Sequence, residues 1–327
     1  MEISPANITK TKHKSKDGFL KEVRKNKVLF IMMLPALVVL LINNYIPMAG
    51  VLIAFKNFTY QGGNIFANFF QSKWVGLKNF EFFTSTPDAW EITRNTVGYN
   101  LVFIILGLLV AVTFAIALNE VKNKFMSRFY QATMILPYFM SWIVVSYLVF
   151  ALISEEQGFI NKSLLPALGW TENLPAWYAD TKYWPPILIL VNMWKYTGYN
   201  CVVYIAAISG IDTEYYEAAT VDGASKFQQI KKITIPLLTP LMIIMTLLAV
   251  GRIFNSDFGL FFSVPRNVGM LWPVTNTIDT YVYNALTNLN DIGMSSAVGF
   301  YQAIVGFATV MVSNFVVRKI DPEKALF

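Results

Sequence analysis

The chain has 327 residues, of which 55% are hydrophobic, 15% aromatic and 14% charged, and its formal net charge is +6. Soluble domains carry about 25% charged residues, so this composition excludes an ordinary soluble protein and predicts an integral membrane protein with several spans. The basic residues lie at the ends of apolar runs and form no continuous patch, which argues against nucleic-acid binding. A single cysteine, Cys201, and a single histidine, His13, exclude an internal disulfide, a cysteine-based metal site and a histidine cluster.

Six apolar runs are long enough to cross a bilayer, whose core of about 30 Å requires about 20 helical residues. They predict an all-α, polytopic membrane protein with transmembrane helices at 28–54, 97–118, 129–153, 184–208, 237–258 and 296–317. The first run is too long for a cleavable signal peptide, and we expect it to be retained. The expected organisation is a basic tail over 1–27, a transmembrane domain over 28–317 with a polar loop at 209–236, and a second tail over 318–327.

The distribution of lysine and arginine predicts the orientation of these spans. Seventeen of them lie in the two tails, in the second-to-third connection and in the fourth-to-fifth connection, whereas seven lie in the longer connections on the opposite side. Positively charged loops stay in the cytoplasm, so both termini and the polar loop are predicted to be cytoplasmic. The opposite loops are rich in tryptophan and tyrosine, which favour the membrane interface.

The polar stretch EYYEAATVDGASKFQQIKKITIPLLTP, residues 214–240, separates the fourth and fifth apolar runs. A short helix is predicted over 214–221, because Asp212 or Thr213 can accept hydrogen bonds from its first amides. Gly223 suits the left-handed position that follows a helix. The stretch therefore begins as a short helix that ends at a glycine.

A second short helix is predicted over 226–233, ending before Pro236, because proline disfavours helical geometry in the residue before it. Two short helices meeting at a glycine would form an elbow. The carboxylates of Glu217 and Asp222 would give this elbow two fixed negative charges. Its alanines leave room for another protein surface. The alternative is a solvated turn whose charges only keep the loop out of the lipid.

The elbow resembles the signature of permease subunits of binding-protein-dependent ABC importers. In that signature Glu-Ala-Ala is followed, after three intervening residues, by Gly and, after nine more intervening residues, by Ile-x-Leu-Pro. The matching residues are Glu217, Ala218, Ala219, Gly223, Ile233 and Pro236, with Ile235 in place of the usual leucine, and Asp222, Ala224 and Phe227 match the carbohydrate branch. The stretches 257–283 and 279–307 also resemble the permeases of that branch that handle polysaccharides and their fragments, such as the alginate importer.

The resemblance implies a type I ABC importer permease fold in the bacterial cytoplasmic membrane. The loop would form a coupling helix that seats in a cytoplasmic ATPase, through Glu217, Ala218, Ala219, Asp222, Gly223, Ala224 and Pro236. The implied partners are a second permease subunit, two copies of an ATP-binding cassette ATPase and an extracytoplasmic solute-binding protein. The chain contains no G-x-x-x-x-G-K-[ST] phosphate loop. We therefore expect no catalytic residue, metal or cofactor in this chain, and ATP and Mg²⁺ on the ATPase subunits.

Polar residues at helical spacing occur within two of the apolar runs. A charged side chain such as Lys195 costs about 2.5 kcal/mol or more in lipid, so these residues are expected to face protein or water. The predicted walls of a substrate pathway are Asn192, Lys195, Tyr196 and Tyr199 in the fourth run, and Arg252, Asn255 and Ser256 in the fifth. The alternative is packing between helices or subunits. If they line a pathway, the two cations favour an acidic sugar.

Together these features predict a permease subunit that moves an oligosaccharide or polysaccharide fragment, and that is not itself an enzyme. The first alternative is an ion- or proton-coupled secondary transporter of a small polar solute, which would require ionisable relays within the spans. The second is a membrane-embedded enzyme, which would require clustered carboxylates, a nucleophile with its base, or metal ligands. The sequence shows no such cluster.

Overall fold

The structure is a computed structural model that describes residues 23–59, 62–81, 86–172, 174–288 and 290–320. It divides into two units, Met1–Leu52 and Ile53–Phe327. Most of the two tails, residues 1–22 and 321–327, lies outside the described residues, so the prediction made for the basic N-terminal tail falls there.

The described chain is mostly helical, with one two-stranded antiparallel ribbon in which Lys56 pairs with Trp74. The elements are α1 (Lys27–Leu40), β1 (Lys56–Asn57), α2 (Ile65–Gln71), β2 (Lys73–Trp74), α3 (Asp88–Asn119), α4 (Lys124–Ile135), α5 (Trp142–Ile153), α6 (Trp184–Ser209), α7 (Thr213–Val221), α8 (Lys226–Val250), α9 (Ile278–Asn288) and α10 (Ile292–Ile320). Shorter helical turns join them at Ile46–Met48, Ala49–Phe55, Lys78–Phe80, Leu136–Phe139, Leu165–Ala167, Thr181–Tyr183, Gly269–Leu271 and Trp272–Thr275.

Long apolar helices confirm the prediction of an all-α membrane protein. In the described part of the chain, four are long and apolar enough to cross a membrane: Lys27–Phe55, Asp88–Asn119, Lys226–Val250 and Ile292–Lys319. A bent pair, Lys124–Phe139 with Trp142–Ile153, makes a fifth if it counts as one span. The fourth predicted span, 184–208, corresponds to α6, which has 26 residues but is less apolar because polar side chains occupy its middle.

The third apolar run, 129–153, does not form one helix as predicted. Its two halves meet at a bend of 99°. Pro137 lies in a 3₁₀ turn that ends the first half, and the Ser141 hydroxyl starts α5 by accepting a hydrogen bond from the Val144 amide at 3.3 Å. A proline followed by a strong N-cap therefore breaks the span near its middle.

Proline does not end the helix after the elbow as predicted. The second helix continues without interruption from Lys226 to Val250. The described chain contains four π-helical segments, and each is followed by a proline at the second position beyond it: Pro47, Pro166, Pro236 and Pro265. A π-turn adds one residue to a helical turn, so it accommodates a proline, whose nitrogen carries no hydrogen and whose ring crowds the carbonyl of the preceding turn. The helix thus passes Pro236.

The fifth apolar run ends its helix earlier than predicted, at Val250 instead of 258. Turns and irregular backbone follow until a π-helical segment begins at Gly259. The backbone carbonyls of Ile253 and Asn255 accept hydrogen bonds from the Asn100 side chain of α3, each at 2.9 Å. Because another helix satisfies these groups, the segment can leave the helical path within an apolar run.

The packed centre of the second unit is built around α3 and α6. One buried cluster joins Trp184, Leu188 and Val191 of α6 to Tyr99 of α3 and Val145 of α5. A second cluster joins the other ends of α3 and α6 to α8, through Ala111, Ala115, Cys201, Tyr204 and Leu238. These contacts place α6, the most polar of the long helices, against protein on several sides.

Candidate functional site: an exposed elbow and a membrane cavity

The first arm of the elbow forms as predicted. The Asp212 carboxylate caps α7 by accepting a hydrogen bond from the Glu214 amide at 3.0 Å. Beyond α7, Gly223 has φ of +78°, and the Ala224 amide donates to the Ala219 carbonyl at 2.9 Å. A side chain at Gly223 would be strained in this left-handed conformation, which explains the glycine.

The elbow presents most of its predicted coupling residues to solvent. Exposed are Glu217, Ala218, Asp222, Gly223 and Pro236, whereas Ala219 and Ala224 are half-buried. Two large apolar side chains beside them are also exposed, Val221 at 88% and Phe227 at 73%. An apolar surface with small residues and two carboxylates at its edge is typical of a protein-docking site.

Side-chain hydrogen bonds join α7 to the first turns of α8. The Gln229 amide donates to the Thr220 hydroxyl at 2.9 Å, and the Tyr216 and Thr234 hydroxyls lie 2.9 Å apart. Gln229 and Thr234 are both buried. We call these four residues the elbow clamp. Because the elbow clamp links α7 to the start of α8, we expect the two helices to move together.

A cavity of about 300 Å³ lies between α3, α6 and the far end of α8. Four of the predicted pathway residues line it, namely Asn192 and Tyr196 from α6 and Arg252 and Asn255 from the segment after α8. The predicted polar stripes of the fourth and fifth runs therefore face a common space. Further polar lining comes from Asn100, Thr197, Asn200, Thr246 and Asp257.

Three helices hold the non-helical segment that follows α8. Besides the two bonds from Asn100, the Gln302 amide of α10 donates to the Phe254 carbonyl. The Asp279 carboxylate of α9 accepts from the Ser256 amide at 2.6 Å and from its hydroxyl at 2.8 Å. Ser256 is thus bonded within the scaffold and does not line the cavity. Asn100 was not identified from the sequence, although it is a lone amide in an apolar run.

The two charged residues at the cavity differ in their partners. Asp257 accepts a hydrogen bond from the Tyr196 hydroxyl, and its second oxygen accepts from the Gly259 amide at 3.0 Å. The Arg252 side chain is exposed, and among the described residues its guanidinium has no hydrogen-bond or ion-pair partner. Arg252 therefore offers unused donors to the cavity.

Two other predicted pathway residues lie away from this cavity. Lys195 is buried and donates hydrogen bonds to backbone carbonyls of Pro137, Tyr138 and Met140 at the break between α4 and α5. Tyr199 stacks on Tyr138, with ring centroids 4.4 Å apart and planes inclined by 11°. Both contact the broken span.

The family model for "Binding-protein-dependent transport system inner membrane component" matches residues 103–323, which include the cavity-lining parts of α6 and α8 and the whole elbow. This chain belongs to that family. The permease is also similar, over nearly its whole length, to permeases of sugar transport systems. It is 31% identical to the polygalacturonan/rhamnogalacturonan transport system permease protein YteP of Bacillus subtilis, over 95% of this chain and 94% of that protein. Protein LplB of the same organism is 29% identical over 94% of this chain and 93% of its own length.

Solved structures show the same fold. A bacterial ABC transporter involved in the import of the acidic polysaccharide alginate contains a chain that matches the permease with a TM-score of 0.82 at 26% identity. The match covers 92% of this chain and 99% of that one. A second structure, of the alginate transporter in complex with an alginate pentasaccharide-bound periplasmic protein, gives the same score and covers 93% and 98%. The predicted type I importer permease fold, and the prediction of a sugar-transport permease of the ABC type, are confirmed.

Proposed function

We propose that the permease is the membrane subunit of an ATP-driven importer that moves an acidic oligosaccharide into the cell. Its elbow and both termini would face the cytoplasm, as the excess of lysine and arginine favours. The observation that supports the proposal most directly is the connection between the two candidate sites. The exposed elbow is clamped to α8, and α8 leads to Arg252 and Asn255 at the cavity.

The length of α8 suits this role. Its 25 residues at about 1.5 Å each give a helix of roughly 37 Å, a length between the thickness of the hydrocarbon core and that of the whole bilayer. A continuous helix transmits a displacement at one end to the other. Movement of the elbow would therefore move the wall of the cavity.

Arg252 favours an anionic substrate. A guanidinium without a protein partner can bind a carboxylate through two parallel hydrogen bonds. Neighbouring amides and the Tyr196 ring suit the hydroxyls and ring faces of a sugar. The names of the relatives support the same class, because polygalacturonan and alginate are acidic polysaccharides.

The family implies the partners that the permease would need. Two ATPase subunits would bind ATP and Mg²⁺ and would grip Glu217 and the apolar side chains beside it. A second permease would complete the pathway, and an extracytoplasmic binding protein would deliver the sugar. The alginate transporter has been crystallised with such a periplasmic protein.

The test is transport and ATP hydrolysis by the whole importer in proteoliposomes, with a binding protein loaded with an acidic oligosaccharide. Glu217→Ala and Gly223→Asp should abolish substrate-stimulated ATP hydrolysis and transport while leaving membrane insertion intact. Lys231→Ala, an exposed change on the same side, is the control and should retain both activities. Uptake at the parental rate by both elbow variants, assembled normally, would contradict the coupling role.

The substrate arm of the same experiment uses Arg252→Gln. If Arg252 binds a carboxylate, uptake of the acidic oligosaccharide should fall about tenfold or more, as expected when a charge-assisted hydrogen bond is lost. Uptake of its methyl-esterified, neutral form should change little. Uptake driven by an ion gradient in the absence of nucleotide would instead support the secondary-transporter alternative.

A further inference from the structure

The break in the third span leaves backbone carbonyls without helical donors in the middle of an apolar run. The chain turns by 99° between Phe139 and Trp142, so the regular ladder of helical hydrogen bonds is interrupted there. Each unsatisfied backbone group in the hydrocarbon region costs several kcal/mol. A break at this depth is stable only if some other group supplies donors.

Lys195 of α6 supplies them. An ammonium has three N–H donors, and this one reaches three carbonyls: Tyr138 at 3.1 Å, Met140, and Pro137 at 3.2 Å. The Pro137 carbonyl also accepts from the Met140 amide at 3.2 Å in the 3₁₀ turn, so the missing donors that Lys195 replaces are those for the Tyr138 and Met140 carbonyls. The side chain is 4% exposed, and its nitrogen lies 4.9 Å from the centroid of the Trp142 ring. No carboxylate of the described residues forms an ion pair with it. Its charge is therefore stabilised mainly by backbone dipoles and by an aromatic face, with a further electrostatic contribution from Asp257.

Close packing on the same face of α6 holds the broken span in place. A Cβ atom added at Gly198 would lie 1.9 Å from the Met134 carbonyl oxygen, so the two backbones touch. One turn away from Lys195, Tyr199 stacks on Tyr138. The neighbouring Tyr196 contacts Tyr138 edge-on, at 5.9 Å between ring centroids, and bonds Asp257 at the cavity.

We infer that Lys195 is a positioning residue of the transport pathway: it replaces the missing helical donors at the break and so fixes the third span against the cavity helix. All three of its hydrogens are bonded to backbone carbonyls, so it is not a substrate-binding cation. Its effect on transport passes through Tyr138 and Tyr196, which join the break to the cavity wall. The inference concerns how the proposed pathway is built, and it rests on the proposed function only for its transport readout.

The primary test measures the break directly and needs no substrate. The only cysteine, Cys201, is buried, so Cys201→Ala provides a background for a new thiol at Val145→Cys, a buried position in the first turn of α5 that reports on the break. In the assembled importer, adding Lys195→Met should speed labelling of that thiol by a membrane-permeant maleimide about tenfold or more, because hydrogen bonds to a charged group are lost. Adding Lys231→Ala in its place is the control and should leave the rate unchanged.

The second readout separates positioning from substrate contact. With Lys195→Met, uptake of an acidic oligosaccharide and of its neutral ester should fall by the same factor, whereas Arg252→Gln should affect the acidic form selectively. Should Lys195→Met not assemble, the labelling comparison is made with Lys195→Gln, which keeps a shorter donor and should give an intermediate rate. Unchanged labelling in the lysine variants, or a loss of uptake confined to the acidic sugar, would overturn the inference. Failure of transport in every variant and in the parent would count against the proposed function alone, because labelling is independent of it.

Discussion

Weakening the elbow clamp should uncouple ATP hydrolysis from transport. We expect the double variant Tyr216→Phe, Gln229→Met to hydrolyse ATP without moving substrate efficiently. The variant removes the Tyr216–Thr234 bond and the Gln229–Thr220 bond, both 2.9 Å long. Methionine preserves most of the buried volume of Gln229, and the Thr220 hydroxyl keeps its bond to the Tyr216 carbonyl at 2.7 Å.

The size of the effect follows from the two lost bonds. Each contributes about 1 kcal/mol net, so the clamp loses about 2 kcal/mol. That changes the equilibrium between seated and detached α7 about 30-fold. In the proposed importer, an elbow detached from α8 would still be moved by the ATPase but would pass less of that movement to the cavity.

The assay is the number of ATP molecules hydrolysed for each substrate imported, measured with the whole importer in proteoliposomes. This ratio should rise several-fold in the double variant, and each single variant should give a smaller rise. Tyr215→Phe, which changes an exposed tyrosine on the same helix, is the matched control and should leave the ratio unchanged. A double variant with the parental ratio would refute the reasoning, as would one whose transport and hydrolysis fall by the same factor.

Two further predictions concern stability. Gly198→Ala should destabilise the permease by about 2 kcal/mol, because its Cβ atom meets the Met134 carbonyl and overpacking at a rigid contact costs about that much. The measurement is the thermal melting of the purified protein in detergent. Gly107→Ala is the control, since its Cβ atom would meet only Met193 Cε at 4.0 Å. Equal melting temperatures for the Gly198→Ala and Gly107→Ala variants would contradict the packing argument. At Tyr178, in the connection between α5 and α6, burial raises the pKa to about 12, against the opposing effect of Arg266. Because the folded state then keeps a proton that the unfolded state loses above about pH 10, stability should fall as pH rises from about 10 to 12. Tyr178→Phe should remove the fall in melting temperature between about pH 10 and 12. It should also raise stability at neutral pH by about 1 kcal/mol, because the Tyr178 hydroxyl is buried without a hydrogen-bond partner among the described residues. A Tyr178→Phe variant with the parental alkaline profile would contradict the assignment of the pH dependence to Tyr178.

The elbow was predictable because its determinants are local. The Asp212 cap, the helix over Thr213–Val221 and the left-handed Gly223 each depend on residues a few positions apart. The same is true of the apolar runs, whose length alone indicates that a helix can cross a bilayer. The second arm was misjudged at Pro236, because a π-turn depends on a one-residue shift in backbone hydrogen bonding that side-chain pattern does not reveal.

The cavity was predictable only in part. Helical spacing correctly grouped Asn192 with Tyr196 and Arg252 with Asn255, but it also included Lys195, Tyr199 and Ser256, which face other elements. Their partners are Pro137, Tyr138 and Asp279, far away in sequence. Asn100 was missed for the same reason, since its acceptors lie more than 150 residues further along the chain.

Composition, apolar run length and the spacing of the elbow residues were enough to predict a helical membrane permease and its elbow, because hydrophobic burial in lipid and helix capping act over short stretches of chain. Tertiary packing decided where α8 stops, where the third span bends and which polar side chains reach the cavity. In an apolar environment every backbone and side-chain polar group must find a partner, and only the folded arrangement of helices determines which partner is within reach.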